Sequence, residues 1–225
     1  MTVRLGLRLV ALALPAALLV PLAAHARTLT VDDGAGDAQA LNMGVIFVEM
    51  FDGSTAEGPI FLDAPAETSA DVVRTTIDHA RKRLTLTVQL RDLVDTEGHS
   101  VEFRIFTPQG RYDLTAGSYG DQVRADLSPG RGGMVVINDD GTFTEPKTCR
   151  TVRARYDLAA DTLTASVPNT CIGSPTWVQV AAGVNRTKVT PQGDGSVNLA
   201  GYIDDAFRGG VDLESLGRSP KVRRG

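Results

Sequence analysis

Aromatic side chains are scarce in this 225-residue chain: one tryptophan, four tyrosines and seven phenylalanines. A sugar-binding face built from several stacked rings is therefore poorly supplied. Histidine is scarcer, with three in all, and no HExxH or other close histidine cluster offers a zinc site. The G-x-S-x-G turn of an α/β-hydrolase is missing. Ser118 and Ser196 lie instead in glycine-rich, turn-like sequence. There is no CxxC. There is no excess of basic charge either: 23 Lys and Arg face 27 Asp and Glu, for a net charge of −4. An acidic body argues against a nucleic-acid partner, which needs a basic face for phosphates. Beyond the first residues no apolar run is long enough to span a bilayer, and no helical periodicity of useful length occurs.

What is present begins with an export signal. Arg4 and Arg8 precede an apolar run from Leu9 to Ala24, which ends in the small-x-small pattern Ala24-His25-Ala26. Charged head, apolar middle and small-residue exit predict a cleavable secretory signal over residues 1–26. Its removal leaves about 199 residues, enough for one domain with a sizeable core. It takes away two basic and no acidic residues, so the mature charge is about −6. Four of the remaining basic residues, Arg218, Lys221, Arg223 and Arg224, sit in a C-terminal tail, 218–225. That tail reads as a solvated end, or as a contact for an anionic polymer or membrane surface. The predicted domain therefore spans 27–217.

Within it, period-two alternation is the main signal. Leu84-Thr85-Leu86-Thr87-Val88-Gln89-Leu90 alternates strictly, and the β-branched run Val72–His79 pairs with it across Ala80–Arg83. Further strands are expected at Val101–Ile105, Arg111–Leu114 and Met134–Ile137. A second hairpin is expected at Val152–Tyr156 and Leu163–Val167. Trp177–Ala181 is the last clear strand, with Trp177 expected in the core and periodicity fading beyond Asn185. Such a series predicts an all-β chain folded as an antiparallel β-sandwich, jelly-roll or immunoglobulin-like. The segment from Leu41 to Leu62 is apolar on both parities. It reads as a covered strand turning at Asp52-Gly53-Ser54, or as an apolar surface for a partner.

The two cysteines, Cys149 and Cys171, fit a disulfide in an oxidising compartment. Register supports this. If the second hairpin turns between Ala159 and Ala160, paired residues have numbers summing to about 319, and the cysteines come within one residue of that sum. Closing a ring of about 23 residues stabilises by roughly 3 kcal/mol.

The most pointed site candidate is Asp32-Asp33-Gly34-Ala35-Gly36-Asp37. Three carboxylates, Asp32, Asp33 and Asp37, on a glycine-loosened loop read either as an acidic turn or as hard oxygen ligands for calcium. Asp204-Asp205 can add ligands only if the end of the chain returns beside its beginning. His79 closes a strand and His99 lies in the polar stretch Glu97-Gly98-His99-Ser100. Tyr119 is the ring expected to be exposed.

Three features occur in combination. They are the acidic start Asp32–Asp37, the run Ile77-Asp78-His79 followed by Arg83-Leu84-Thr85-Leu86-Thr87-Val88, and the stretch from Cys149-Arg150 to Val167-Pro168-Asn169-Thr170-Cys171-Ile172-Gly173. In these the chain resembles small secreted actinobacterial proteins of uncharacterised function, β-sandwiches distantly similar to DOMON domains and family 9 carbohydrate-binding modules. The resemblance to family 9 modules implies sugar and calcium. That to DOMON domains implies haem held by methionine and histidine, here among Met43, Met50, Met134, His79 and His99, where no spacing singles out a pair. The expected function is a secreted, non-catalytic binding or interaction domain, calcium-stabilised and associated with extracellular polysaccharide, cell wall or a protein partner. The alternatives are an extracellular hydrolase using a carboxylate pair and an assembly protein using the 41–62 segment.

Overall fold

The structure, a computed structural model, describes residues 27–47, 57–120, 122–130, 136–137, 143–144, 149, 151–212 and 215–225. Residues 1–26, where an export signal is expected, the turn expected at Asp52-Gly53-Ser54, Met50 and Met134 lie outside the described residues.

Two antiparallel sheets pack face to face, as the alternation predicts. The smaller sheet has the order β1-β4-β5-β12-β11. Its strands are β1 (Arg27–Asp32), β4 (Val72–His79), β5 (Arg83–Leu90), β11 (Arg153–Asp157) and β12 (Thr162–Pro168). The larger sheet runs β3-β2-β14-β13-β6-β7-β8. It comprises β2 (Gln39–Leu41), β3 (Phe61–Asp63), β6 (His99–Thr107), β7 (Gly110–Tyr119), β8 (Gln122–Pro129), β13 (Trp177–Pro191) and β14 (Val197–Asp205). A short β15 (Val222–Arg223) pairs with the start of β13. A separate two-stranded pair joins β9 (Val136–Ile137) to β10 (Phe143–Thr144). Among the described residues no helix is long and apolar enough to cross a membrane.

Alternation decides which residues fill the space between the sheets. In β5, Leu84, Leu86, Val88 and Leu90 are buried while the threonines between them are half-exposed. They meet Val101, Phe103 and Ile105 of β6 and Val178, Val180, Ala182 and Val184 of β13 in one continuous core. Each large apolar side chain so buried contributes about 1.5–3 kcal/mol, and together these side chains hold the sandwich shut.

Both predicted hairpins form. In β4 and β5, Thr76 faces Thr87 and Ile77 faces Leu86, with a register shift between Val72 and Arg74. In β11 and β12, Ala154 faces Ala165 and Tyr156 faces Leu163, the register expected from the turn. Cys149 and Cys171 are bonded, with Cα atoms 5.9 Å apart. Cys171 sits in a 3-10 turn, Asn169–Ile172, that ends at Gly173 in the left-handed region. The Asn169 amide donates to the carbonyls of Ala80 and Arg81, tying this turn to the loop of the first hairpin.

Several expectations are corrected. The two-faced apolar strand does not form at residues 43–47, where the chain makes a short helix, α1 (Met43–Phe47). Asn42 opens it: its carbonyl accepts from the Ile46 N–H, and its side-chain amide ties back to Pro59. An asparagine at that point is a helix-start signal, and here it prevails over the apolar pattern. The chain does not lose structure beyond Asn185. Instead β13 continues to Pro191 and turns into β14, with Val189 opposite Leu199 and Pro191 opposite Val197. This ribbon is exposed on both faces from Thr187 to Leu199, so no burial pattern marks it. The edge strand β8 was equally silent, because Leu127 is the one residue it buries.

The C-terminal residues 218–225 are not a solvated end. Ser219 and Val222 are buried, and the Ser219 N–H donates to Val180 O while its hydroxyl accepts from Val180 N–H. Trp177, expected in the core, is half-buried at the surface and covered by the Lys221 ammonium, 4.2 Å from the ring centre. Tyr119 is half-exposed as expected.

Candidate metal centre

The acidic loop is one of the connections between the sheets. β1 ends in the smaller sheet at Asp32, and after six intervening residues the chain enters the larger sheet as β2. There β2 pairs with the end of β14, Ala40 facing Tyr202 and Gln39 facing Ile203. The end of the chain thus returns beside its beginning, and Asp204 arrives next to the loop. Oxygens of Asp33, Asp37 and Asp204 lie within 4.8 Å of one another. Asp32 is not in the group. It points outward and pairs with Arg74 at 2.6 Å. The strand parity of β1 accounts for this, since successive side chains face opposite ways.

The loop is held from several sides. Asp33 N–H donates to Val73 O, beside the register shift in β4. Gly34 N–H donates to Asp33 Oδ1. Gly36 adopts φ +90°, open to glycine, and its N–H donates to Asp71 Oδ2 at 2.8 Å. Asp71 is fully buried and also pairs with Arg91 at 3.0 Å. Asp204 is pinned by two backbone donors, Val72 N–H to Oδ2 at 2.7 Å and Asp205 N–H to Oδ1 at 2.8 Å. Its neighbour Asp205 faces the other side of the sheet and accepts from Phe207 and Gly217 N–H groups.

Burial and mutual repulsion push these carboxyls toward the protonated form. Burial raises Asp204 to about 8, helped by the charges of Asp37 and Asp33 and opposed by the Val72 N–H. Burial raises Asp33 to about 6, with Asp37, Asp205 and Asp71 adding to it. Asp37 is raised by burial as well. Asp33 Oδ2 and Asp37 Oδ1 are buried without a hydrogen-bond donor among the described residues. A cation would supply the missing counter-charge, and three carboxylates on a loop and a strand end suit a hard ion that takes oxygen ligands.

The other candidates lie elsewhere. His99, expected in a polar loop, is fully buried in β6, its Nε2–H donating to Ser69 O at 2.6 Å and its Nδ1 3.2 Å from the Tyr156 hydroxyl. His79 is buried and bonded through Nδ1 to Val222 O. Among the described residues neither ring has a serine hydroxyl or a carboxylate as a hydrogen-bond partner. Ser118 and Ser196 bond within their own turns. Met43 lies in α1, which packs against β14.

Fold and site together define a disulfide-pinned antiparallel β-sandwich with an aspartate cluster where its two sheets are joined. No protein-family model, curated protein or solved structure matches the chain.

Proposed function

We propose that the chain is an exported, non-catalytic binding module whose sandwich is stabilised by a calcium ion at Asp33, Asp37 and Asp204, working outside the cytoplasm in association with polysaccharide, cell wall or a protein partner. The convergence of these three carboxylates from opposite ends of the sequence is the observation that carries the reading. Calcium is favoured over magnesium because the carboxylates sit on a glycine-containing loop and a strand end, a set that can adjust to a large, irregular coordination shell. Backbone carbonyls and water would complete the six to eight oxygens such an ion takes. The ion would neutralise buried charge and tie β14 to the β1–β2 connection. The disulfide and the 1–26 signal sequence support export.

A carboxylate-pair hydrolase would draw on the same acids. The binding reading is preferred because backbone donors hold both oxygens of Asp204, which favours a fixed ligand over a group exchanging protons with substrate.

Calorimetric melting in EDTA and in calcium tests the proposal. At calcium one hundred times its dissociation constant the gain is about 2.7 kcal/mol. Asp37→Asn is expected to abolish the gain, and Asp32→Asn to leave it intact. An unchanged melting temperature with calcium and with magnesium would refute the site.

A further inference from the structure

The outward face of the larger sheet carries a second group of charged residues. Alternation along β6 sends Val101, Phe103 and Ile105 inward and Glu102, Arg104 and Phe106 outward. Phe106 faces Arg111 across β7, and Arg104 faces Ala181 across β13. The docked C-terminal segment then adds a third cation. Ser219 is fastened to Val180 and accepts from the Gln179 side chain, which sets Arg218 over the Phe106 ring at 4.0 Å. Arg104, Arg111 and Arg218 line one cavity of about 110 Å³, with Phe106, Ala181 and Leu216 as its apolar walls.

The donor inventory of these guanidinium groups is largely unused. Each has five N–H donors. Arg104 gives its Nε–H to Glu102 and Arg111 gives an Nη2–H to Asp113, both at 3.0 Å. Arg218 has neither an ion pair nor a hydrogen bond among the described residues, and stacking on Phe106 uses the face of the group and leaves its edge free. Arg111 Nε is buried without an acceptor among the described residues. Arg104 is balanced by Glu102 and the nearby Asp205 and Arg111 by Asp113, which leaves Arg218 as the cation without a carboxylate partner among the described residues. At roughly 30 Å³ per water the cavity holds a few waters or one tetrahedral oxyanion.

A second cavity of about 280 Å³ adjoins the first and shares Arg104 and Leu216 with it. It is lined by the hydrogen-bonding groups of Ser100, Thr115 and Asn185, which suit hydroxyls, and also by the carboxylates Glu102 and Asp204. We propose that this outer face binds a sulfate or phosphate group through Arg104, Arg111 and Arg218, either as the free ion or carried on a saccharide seated in the adjoining cavity. Forked guanidinium donors match the edges of such an anion, and the Phe106 wall keeps Arg218 pointed at it.

Titration calorimetry on the disulfide-intact mature protein tests this with sodium sulfate, glucose 6-sulfate and glucose as probes, against sodium chloride at matched ionic strength. EDTA is present throughout, so that Asp204, which lines the adjoining cavity, stays metal-free in every arm and the result does not rest on calcium binding. Sulfate and glucose 6-sulfate are expected to bind and glucose alone is not. Tighter binding of glucose 6-sulfate would identify the saccharide-borne group as the ligand, and equal binding the free ion. Arg218→Gln and Arg104→Gln are each expected to weaken binding at least about tenfold while melting near the parent protein. Arg218→Lys, which keeps the charge but loses the fork, should fall between. Absence of binding by both sulfate compounds, or equal binding by folded Arg218→Gln and Arg104→Gln proteins, would overturn the proposal.

Discussion

Removing metal should give the protein an unusual dependence on pH, and the sign follows from Asp204. Its carboxyl is raised to about 8 in the folded protein from an ordinary 3.8. Above the ordinary value the unfolded chain is ionised while the folded chain keeps its proton. The folded state therefore binds more protons, and stability falls as pH rises through the window from 3.8 to 8. Histidine acts in the opposite direction. Burial lowers His79 and His99 below 6.5, so they add stability as pH climbs, and above 6.5 each still adds about 0.4 kcal/mol as the half-protonated imidazole of the unfolded chain gives up its remaining proton. Between pH 6.5 and 8 the Asp204 effect is the larger, a loss of about 1.7 kcal/mol against a gain of about 0.8 kcal/mol from the two histidines. The net loss over that interval is about 0.9 kcal/mol, or roughly 2–4 °C in melting temperature for a domain of this size. Asp33, raised to about 6, steepens the fall below that interval. The assay is a series of thermal melts in EDTA across this interval, repeated with Asp204→Asn. The variant has no carboxyl to ionise there and should lose the fall, leaving the small rise that the histidines give. Calcium should flatten the slope in the parent, because the bound ion requires the ionised form. A metal-free parent whose melting temperature is flat or rises from pH 6.5 to 8 would refute the argument.

Other outcomes are accessible by the same means. Cys149→Ser with Cys171→Ser should lower stability by roughly 3 kcal/mol and expose no new calcium dependence; two free thiols in the parent protein would contradict the bonded pair. Phe103→Ala, at a fully buried core position, should cost about 3–5 kcal/mol by denaturant unfolding. Gly36→Ala forces a side chain into φ +90° and brings its Cβ to 3.4 Å from Arg91. It is expected to weaken calcium binding in a titration more than it lowers the metal-free melting temperature. Ser219→Ala should lower the melting temperature by loosening the C-terminal segment, seen as faster exchange of the Arg224 and Gly225 amides that bond to Thr176 and His79.

How far the sequence could be read depended on burial. Where one face of a strand is covered and the other is wet, as in β5 and β12, side-chain alternation records it, and pairing register followed to the residue. The disulfide was legible for the same reason, because a hairpin's turn fixes what stands opposite what. The β13–β14 ribbon is wet on both faces and β8 buries one residue, so neither leaves a periodic trace. The short helix at Met43 was masked by apolar residues that suit either state, although Asn42 marked its start. At the candidate metal site the loop was visible, and its third member, Asp204, could be named only on the condition that the chain's end returns beside its beginning. Asp33 and Asp37 could be named from local composition, but which neighbour left and which arrived depended on tertiary pairing. Asp32 faces outward by parity, and Asp204 enters because β14 lies against β2. His99 looked like a loop residue because its neighbours are polar, yet its strand turns it inward to bond with Ser69 and Tyr156.

The meeting of Val72 with Asp204 spans 132 positions of chain, and it sets an order of events. Hairpins such as β4–β5 can close early from local sequence, whereas the aspartates cannot come together until β14 has found its place beside β2. Contacts this remote bear a large closure entropy and form late. Ion capture at this place would therefore report that β14 has docked beside β2, and a luminescent lanthanide seated there would light up only after that pairing.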